Sequence, residues 1–368
     1  MFFGCSSFRE VKLNLNTSKV SNMEFMFYSS GELIELDLSG FNLENLINAE
    51  YMFYDNSYLK NIKFNNSTIT NNLQKMNHMF SGCKSLEYIN TEIFNTIKVI
   101  SLNNTFANCQ SLKEIDLSHF DFKNIKDLMG SFKFCTNLTK LDIPNLDASN
   151  LESIEEIFYE CISLTSLNFS VINSNKLLST QYAFYNCENL KSIDLSSFNF
   201  SSVTISNYMF FSCINLEVLT LPNKMISLKS AKNMFDSCSN LKSINLSFLE
   251  NNNNFEDAYR MFSNCSNLEE IEFPNIYIEE MVDLSEMFFG CINIKRIELQ
   301  KFQAHYIYYM NRMFYDCKNL KYLDITGFSL RGVIEYDDIF KNVRKHLDIE
   351  YIAFNIEENI QNQIKEII

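Results

Sequence analysis

Eleven cysteines give this sequence its most obvious capacity for chemistry, because thiolates act as nucleophiles and bind zinc. All of them stand three residues after a phenylalanine: Cys5, Cys83, Cys109, Cys135, Cys161, Cys187, Cys213, Cys238, Cys265, Cys291 and Cys317. No Cys-x-x-Cys pair and no cysteine–histidine grouping occurs, so the spacing does not predict a metal site. The pattern favours a column of buried thiols. Disulfides between adjacent repeats are the alternative, and the odd count leaves at least one thiol free.

The four histidines and the many acidic residues complete the set of possible catalytic groups. His78, His119, His305 and His346 fall at different phases of the repeat described below. The sequence contains no glycine-rich phosphate loop, no G-x-S-x-G and no H-E-x-x-H. Carboxylates one repeat apart form a row rather than the cage that calcium requires. We therefore expect no catalytic residues, no cofactor and no enzyme activity.

Composition limits the class of partner. The formal net charge is −14, and an acidic surface repels phosphate backbones, so nucleic acid is not expected. No apolar run is long enough to span a membrane. Apolar residues make up 46% of the chain, including 34 Phe and 18 Tyr, which is ample for a long core. These properties predict a folded chain that binds no nucleic acid; neither the identity of a partner nor the oligomeric state is predicted.

A phenylalanine recurs along the whole chain in a Met-Phe-x-x-Cys pattern. It occupies positions 2, 27, 53, 80, 106, 132, 158, 184, 210, 235, 262, 288, 314 and 340, in steps of 25 to 27 residues. Such a period indicates about fourteen repeats of 26 residues, stacked as a solenoid.

Each repeat has the same two apolar segments. After the cysteine comes Leu-x-x-Ile-x-Leu, as in Leu112, Ile115 and Leu117, and its final step of two is the strand period. The steps of three and four among Met76, Met79 and Phe80 are the helix period. Because neither segment buries its apolar face alone, the repeats must stack. The pattern predicts an α/β repeat fold with one parallel sheet, and with one short strand and one short helix per unit.

The repeats MFFGCINIKRIEL (287–299) and MFYDCKNLKYLDITGF (313–328) resemble the BspA-like leucine-rich repeat family of surface proteins, also described as the bacterial surface protein 26-residue repeat. The resemblance covers about residues 1–346. It implies a leucine-rich-repeat-type solenoid with a non-enzymatic adhesion or protein-binding role. It brings no catalytic residues. The repeat departs from the family in the middle, where Met before Phe becomes Thr105, Ser131, Ile157 and Ala183.

Acidic residues dominate the strand position that points away from the core. In a Leu-x-Leu strand the middle residue faces solvent. The predicted binding strip consists of Asp37, Asp116, Asp142, Asp194, Glu272, Glu298 and Asp324, with Tyr88 and Tyr322 as aromatic anchors in the column two residues earlier. Tyrosine offers contact area at low entropic cost. A strand face kept polar to prevent aggregation is the alternative interpretation.

The ends of the chain depart from the regular repeat. Residues 1–331 are predicted to form a solenoid of about 13 repeats with a truncated first unit, and residues 332–368 a degenerate last repeat with a capping helix. Ile356, Ile360, Ile364 and Ile367 recur at helical spacing. A helix that binds a partner is the alternative.

The cellular setting is predicted from the resemblance alone. Family resemblance implies a cell-surface or extracellular protein, although no signal peptide is visible in this chain. An intracellular structural scaffold is the alternative, with a cytoplasmic location and reduced thiols. Residues Met1–Cys5 repeat Met287–Cys291 letter for letter. This match predicts a chain that begins inside a repeat, as a fragment of a longer protein would.

Overall fold

The computed structural model of the protein describes residues 2–5, 7–172, 174–351 and 356–368. The chain divides into two compact units, Met1–Leu177 (unit 1) and Leu178–Ile368 (unit 2). Each unit is a solenoid in which one repeat forms one coil, and the coils are joined by parallel strand pairing. Met1, on which the match with Met287 partly depends, lies outside the described residues.

Unit 1 contains five strands, which pair only in parallel. They are β1 (Glu10–Lys12), β2 (Glu35–Asp37), β3 (Asn61–Lys63), β4 (Lys140–Asp147) and β5 (Ser166–Ile172). The order is β1-β2-β3 in one sheet and β4-β5 in another. The register aligns Val11 with Leu36 and Leu36 with Ile62, which are equivalent positions of successive repeats. Residues one repeat apart therefore lie side by side, as the periodicity predicts.

The described residues of unit 2 form nine strands, a 3₁₀ helix and an α-helix. The strands are β6 (Ser192–Asp194), β7 (Val218–Thr220), β8 (Ser243–Asn245), β9 (Glu270–Glu272), β10 (Ile276–Ile278), β11 (Arg296–Glu298), β12 (Phe302–Ala304), β13 (Tyr322–Asp324) and β14 (Asp348–Glu350). The 3₁₀ helix is Ser247–Leu249 and the α-helix, α1, is Glu358–Ile367. Strands pair as β6-β7, β8-β9, β11-β13-β14 and β10-β12, all in parallel.

The predicted single sheet is wrong in detail, because the described strands form several short ladders of two or three. Most strands have only three residues, so each pairing rests on about two hydrogen bonds. A small local offset is enough to interrupt such a ladder, while the apolar side chains beneath it stay stacked. A second line of isolated bridges, such as Asn22–Asn48 and Asp257–Asp283, also joins successive coils.

The predicted short helix in every repeat is also wrong, because α1 is the one α-helix in the described residues. Around Phe53, Tyr51 and Asp55 have positive φ values of 55° and 57°, which an α-helix excludes. Amide groups donate alternately within the coil and to the next coil: Met52 N to Ala49 O (3.2 Å), then Phe53 N to Met79 O (2.9 Å). The apolar steps of three arise from these i→i−3 turns.

Two left-handed residues, four positions apart, recur in nearly every coil. The first position holds large side chains such as Phe25, Tyr182 and Arg260, and the second holds residues such as Ser29 and Gly82. A non-glycine residue in this conformation costs about 1–2 kcal/mol. The backbone bonds between coils and the buried core hold these residues in place.

The repeated phenylalanines form the core of each unit as a stack of nearly parallel rings. In unit 1, the centroids of the rings from Phe27 to Phe158 are 5.4–5.7 Å apart, and the planes differ by 6–18°. In unit 2, the rings from Phe184 to Phe340 are 5.2–5.8 Å apart. The predicted solenoid and its alignment of equivalent residues are thus confirmed.

Helix α1 contacts the coil that contains Phe340. The side chains of Ile360 and Ile364, both in α1, are fully buried. Gln363 accepts a hydrogen bond from the Ile339 amide (3.1 Å) and donates one to the Tyr336 carbonyl (3.1 Å). The helical spacing predicted this element. Its role as a cap and the boundary at residue 331 stay predictions.

Gly82 is expected to tolerate alanine less well than Gly332, although both have φ of +82°. A Cβ at Gly82 would lie 3.0 Å from the Asp55 Cα and 3.1 Å from the Asp55 nitrogen, whereas Gly332 faces open space. Both variants incur the left-handed penalty of about 1 kcal/mol. We expect Gly82→Ala to lose roughly 1–2 kcal/mol more in urea unfolding, because backbone atoms must move. Equal losses would contradict the tight coil spacing.

Candidate functional site

The strand face is the set of side chains that point outward from the strands and from their equivalents in coils without a regular strand. In unit 1 it carries Asp37 on β2, Asp142 on β4 and Asp116 on a coil between β3 and β4; in unit 2 it carries Asp194 on β6, Glu272 on β9, Glu298 on β11 and Asp324 on β13. All except Asp324 are exposed or half-buried, while their strand neighbours such as Leu36 and Ile193 are buried.

Asp324 does not lie on an exposed strip, contrary to the prediction, because only 5% of it is accessible. Its strand is paired on both sides, by β11 and by β14. Its carboxylate accepts hydrogen bonds from the Thr326 amide (2.9 Å) and the Thr326 hydroxyl (2.6 Å). Because these contacts enclose Asp324, this residue does not belong to the candidate surface.

Three of the remaining aspartates also close the turn after their strand. Asp37, Asp116 and Asp194 accept hydrogen bonds from the amides of Ser39, Ser118 and Ser196, at 2.9, 2.8 and 2.9 Å. Hydrogen bonds from these serines hold the pKa of each aspartate below its usual value. The carboxylates therefore have a structural role that the strip prediction missed. The Asp-Leu-Ser spacing, an Asx-turn pattern, is the signal that indicates it.

Internal cations neutralise part of the acidic face. In unit 1, Lys12 contacts Asp37 (3.5 Å) and Lys140 contacts Asp142 (2.5 Å). In unit 2, Arg296 pairs with Glu298, and the Asn245 amide donates to Glu272 (2.6 Å). Among the described residues, Asp116 and Asp194 form no ion pair. These two carboxylates offer the least compensated charge of the predicted set.

The two predicted tyrosine anchors differ in their surroundings. Tyr88 is 66% exposed. Tyr322 is half-buried, because the Arg296 guanidinium lies 3.6 Å from its ring centroid and its hydroxyl donates to Glu350 (2.7 Å). That hydrogen bond raises the pKa of Tyr322 to about 12. Tyr88 is therefore open to a partner, whereas Tyr322 is occupied by its own neighbours.

Shallow, open depressions follow the strand face in each unit. In unit 1, a depression of about 310 Å³ is lined by Tyr88, Glu114, Ile115, Asp116, Lys140 and Asp142, and another of about 490 Å³ extends over β1, β2 and β3. In unit 2, a depression of about 300 Å³ lies over β9 and β11. The linings over β1–β3 and over β9 and β11 are mainly polar, whereas the depression at Tyr88 combines charged side chains with a larger apolar surface. Such surfaces suit contacts with an extended polypeptide segment better than enclosure of a small molecule.

The cysteine column forms a ladder of buried hydrogen bonds. The Cys135 Sγ donates to the Phe106 carbonyl of the preceding coil at 3.1 Å, and eight other cysteines make the equivalent contact at 3.1–3.3 Å. Where cysteine is replaced, the Ser30 hydroxyl and the Asn56 amide donate to phenylalanine carbonyls instead. In these coils the position holds a side chain that donates to the preceding coil, whereas the buried Val343 takes it in the coil of Phe340. The cysteines are free.

Native thiol labelling is expected to modify Cys5 and to spare the other ten cysteines. Cys5 is half-buried, whereas the others are buried. Burial raises the pKa of Cys83 and Cys135 to about 12, so little thiolate forms at neutral pH. Labelling with a maleimide at pH 7, followed by mass spectrometry, should give one modified site in the folded protein and eleven in urea. Rapid labelling of Cys135 would contradict the buried ladder.

Aromatic side chains also stack on the flank of unit 1. Phe3, Tyr28 and Tyr54 form one row, with ring centroids 4.9 Å apart. Phe25, Tyr51 and His78 form a second row that the sequence reasoning missed, with spacings of 4.9 and 4.6 Å. Burial lowers the pKa of His78. The ring faces are largely covered by each other, which is typical of packing.

Unit 2 also has such stacks, as in Tyr182–Tyr208 and Tyr185–Phe211, but an ion-pair network takes their place in the coils that contain Asp236 and Arg260. Asp236, whose side chain is 1% exposed, contacts the Arg260 Nε at 2.9 Å, and another guanidinium nitrogen contacts Glu286 at 2.7 Å. Asn233, Ser237 and Asn264 donate further hydrogen bonds to the Asp236 carboxylate, at 2.9, 2.8 and 3.3 Å. The buried carboxylate is thus matched by one arginine and three neutral donors.

The described residues contain neither a cluster suited to a metal ion nor a helix suited to a membrane. Within the described ranges, no group of three or more histidine, cysteine or acidic side chains is placed to hold a metal ion. Across the same part of the chain, no helix has the length and apolar character needed to cross a bilayer.

Two family models match the chain. The model described as "Mycoplasma protein of unknown function, DUF285" matches residues 1–88, 74–192 and 256–364. The model described as "BspA type Leucine rich repeat region (6 copies)" matches residues 155–281. The resemblance inferred from the repeat motif is thereby confirmed. No curated protein sequence gives a significant match.

Bacterial leucine-rich repeat proteins are among the solved structures that match this chain. A leucine-rich repeat protein from Bacteroides ovatus superposes with a TM-score of 0.51 at 16% identity, covering 90% of this chain and 88% of that one. At 16% identity this likeness shows the fold alone. A leucine rich cell surface protein from Faecalibacterium prausnitzii gives a TM-score of 0.45 at 17% identity, covering 93% of this chain and 85% of that one.

Proposed function

Since the chain belongs to the family described as Mycoplasma protein of unknown function, DUF285, and is built of BspA-type leucine-rich repeats, we propose that it is a non-enzymatic protein-binding module. Its partner contacts the strand face. Surface display, as an adhesion protein, is part of the proposal and rests on the BspA-type repeat. Repeat folds of this kind are commonly protein-binding, because stacked coils create long, regular surfaces.

One observation carries the choice of face. In unit 1, the exposed Tyr88 and the unpaired Asp116 line the same open depression. Exposed aromatic rings next to uncompensated charge are typical of interaction surfaces, whereas a face kept polar only for solubility does not require an exposed ring. The flank rows of stacked aromatics are a weaker candidate, because their ring faces are already covered.

The binding face can be tested without disturbing the turns. A triple variant with Asp116, Asp142 and Asp194 each changed to asparagine removes three charges, and asparagine keeps the Asx-turn, as Asn245 does with the Ser247 amide (2.7 Å). We expect retention of extracellular-matrix proteins on the immobilised chain to fall about tenfold or more, which corresponds to roughly 1.4 kcal/mol.

A matched control changes three exposed acids away from the strand face, Glu44, Glu92 and Glu250, to glutamine. It has the same net charge as the triple variant and should retain partners as the natural chain does. Equal retention by all three proteins would contradict the proposed face.

The intracellular scaffold is the second candidate, and the buried, reduced thiols are the observation that favours it. Protease treatment of intact cells that produce the full-length protein separates the two. Digestion of the repeats supports surface display, and complete protection supports the scaffold.

A further inference from the structure

Unit 2 contains an arginine that is bound by the strand face of its own chain. The Arg296 guanidinium lies 3.6 Å from the centroid of the Tyr322 ring and pairs with Glu298. The Tyr322 hydroxyl donates to Glu350, on the next coil, at 2.7 Å. A guanidinium therefore rests on a tyrosine ring beside carboxylates, which is an arrangement that arginine favours because it is planar and weakly hydrated.

Unit 1 repeats the tyrosine and the carboxylate of the following coil without the arginine, and Lys63 stands where unit 2 has Glu298. Tyr88 and Asp116 are 28 residues apart, as Tyr322 and Glu350 are, and they occupy the same repeat positions. Where Arg296 begins strand β11, the short and neutral Asn61 begins β3. Within the described residues, Tyr88 has no ring-stacking or cation contact, and Glu114 and Asp116 form no ion pair.

The unit 1 arrangement keeps its negative charge available. The lysine that lines the same depression, Lys140, contacts Asp142 at 2.5 Å. Hydrogen bonds from Ser118 lower the pKa of Asp116, so this carboxylate stays ionised well below neutral pH. The exposed ring of Tyr88 is thus left beside the unpaired Asp116 carboxylate in a depression of about 310 Å³. Glu114 lines the same depression, where its charge adds to the hydrogen bond with Asp142 in raising the pKa of Lys140.

We propose that Tyr88, Glu114 and Asp116 bind an arginine side chain of the partner, as Tyr322 and Glu298 bind Arg296 in unit 2. The occupant is an extended, arginine-containing segment of a protein. The guanidinium stacks on the Tyr88 ring, and the two carboxylates accept its hydrogen bonds. This inference rests on the proposed protein-binding function and gives the chemistry of the partner.

The probe for the experiment is the acetylated peptide (Gly-Arg-Ser)₄, used beside two matched peptides in which lysine or citrulline replaces arginine. Citrulline keeps the planar shape and removes the charge. Fluorescence anisotropy gives the Kd, and the ring resonances of ¹³C-labelled tyrosine report which ring is contacted. We expect the arginine peptide to bind about threefold more tightly than the lysine peptide and about tenfold more tightly than the citrulline peptide.

Two variants test the site from opposite directions. Tyr88→Ala removes the ring, and Asn61→Arg places an arginine where unit 2 has Arg296, so that the site is filled from within the chain. We expect each to weaken arginine-peptide binding about fivefold to tenfold. The matched control, Tyr277→Ala, removes a 51% exposed tyrosine from β10, a strand of unit 2 that carries none of the predicted strip residues, and should leave binding unchanged. Circular dichroism checks that all three variants are folded.

The outcomes separate this inference from the proposed function. Unchanged peptide binding by Tyr88→Ala, or equal binding of the citrulline peptide, overturns the arginine site. If the triple asparagine variant still loses its partner proteins in that case, the binding face stands without it. If the arginine peptide depends on Tyr88 while the triple variant retains its partners in full, the arginine site stands and the proposed face fails.

Discussion

Replacing Phe106 with alanine is expected to lower the free energy of unfolding by about 3–5 kcal/mol. Phe106 is fully buried, and its ring stacks between Phe80 and Phe132 with centroids 5.7 and 5.4 Å away. Removal of the ring leaves a cavity that two neighbouring coils cannot fill, because backbone hydrogen bonds fix their spacing. Urea unfolding followed by circular dichroism measures the loss.

The matched control for Phe106 is Phe3→Ala, which removes a ring that is 63% exposed at the start of the flank row. Phe3 stacks on Tyr28 alone, so we expect it to contribute less than about 1 kcal/mol. Since each coil of a solenoid is stabilised by its neighbours, Phe106→Ala should also broaden the transition of unit 1. Similar losses in both variants would show that the ring stack is not the core of the unit.

Changing Arg260 to methionine is expected to cost about 3–5 kcal/mol, because it leaves the buried Asp236 carboxylate without a cation. Asp236 is nearly inaccessible, and the 2.9 Å contact with Arg260 is its one ion pair among the described residues. Methionine preserves most of the side-chain volume, so the loss reports on charge rather than on packing. Thermal unfolding at pH 7 should show a lower midpoint for this variant.

A double variant distinguishes a broken pair from a damaged core. Other coils place Ser81 at the position of Asp236 and Asn104 at the position of Arg260. We therefore expect Asp236→Ser combined with Arg260→Asn to recover most of the stability that Arg260→Met loses, since replacing a whole buried pair is often neutral. A double variant as unstable as the single one would argue against an electrostatic cause.

The stacking of the repeats could be predicted because it depends only on periodicity. A phenylalanine every 26 residues must meet its equivalent when the coils stack, and the ring stack from Phe27 to Phe158 follows. The helix could not be told from a series of turns, because both place apolar residues three apart. The left-handed positions could not be predicted either. Glycine is the usual sequence signal for a positive φ, and Tyr51 and Arg260 occupy such positions here.

The candidate site was predictable as a column and not as a set of contacts. Strand alternation placed Asp116 and Tyr88 correctly on the outer face, as their exposure shows. It did not foresee that Thr326 encloses Asp324, or that Arg296 covers Tyr322. These differences depend on how side chains from neighbouring coils meet. Tyr88 and Tyr322 hold equivalent positions in the sequence, yet the Tyr88 ring is exposed and the Tyr322 ring is covered by Arg296.

The thiol ladder has a consequence for how such a chain changes length. Every Sγ in it donates to a carbonyl in the coil immediately before, and serine or asparagine makes the same connection at Ser30 and Asn56. Each coil therefore carries one donor for the preceding coil and one acceptor for the following coil. Duplication or deletion of a whole number of repeats by recombination would preserve every such connection, so a gene of this design can gain or lose coils without passing through an unstable protein.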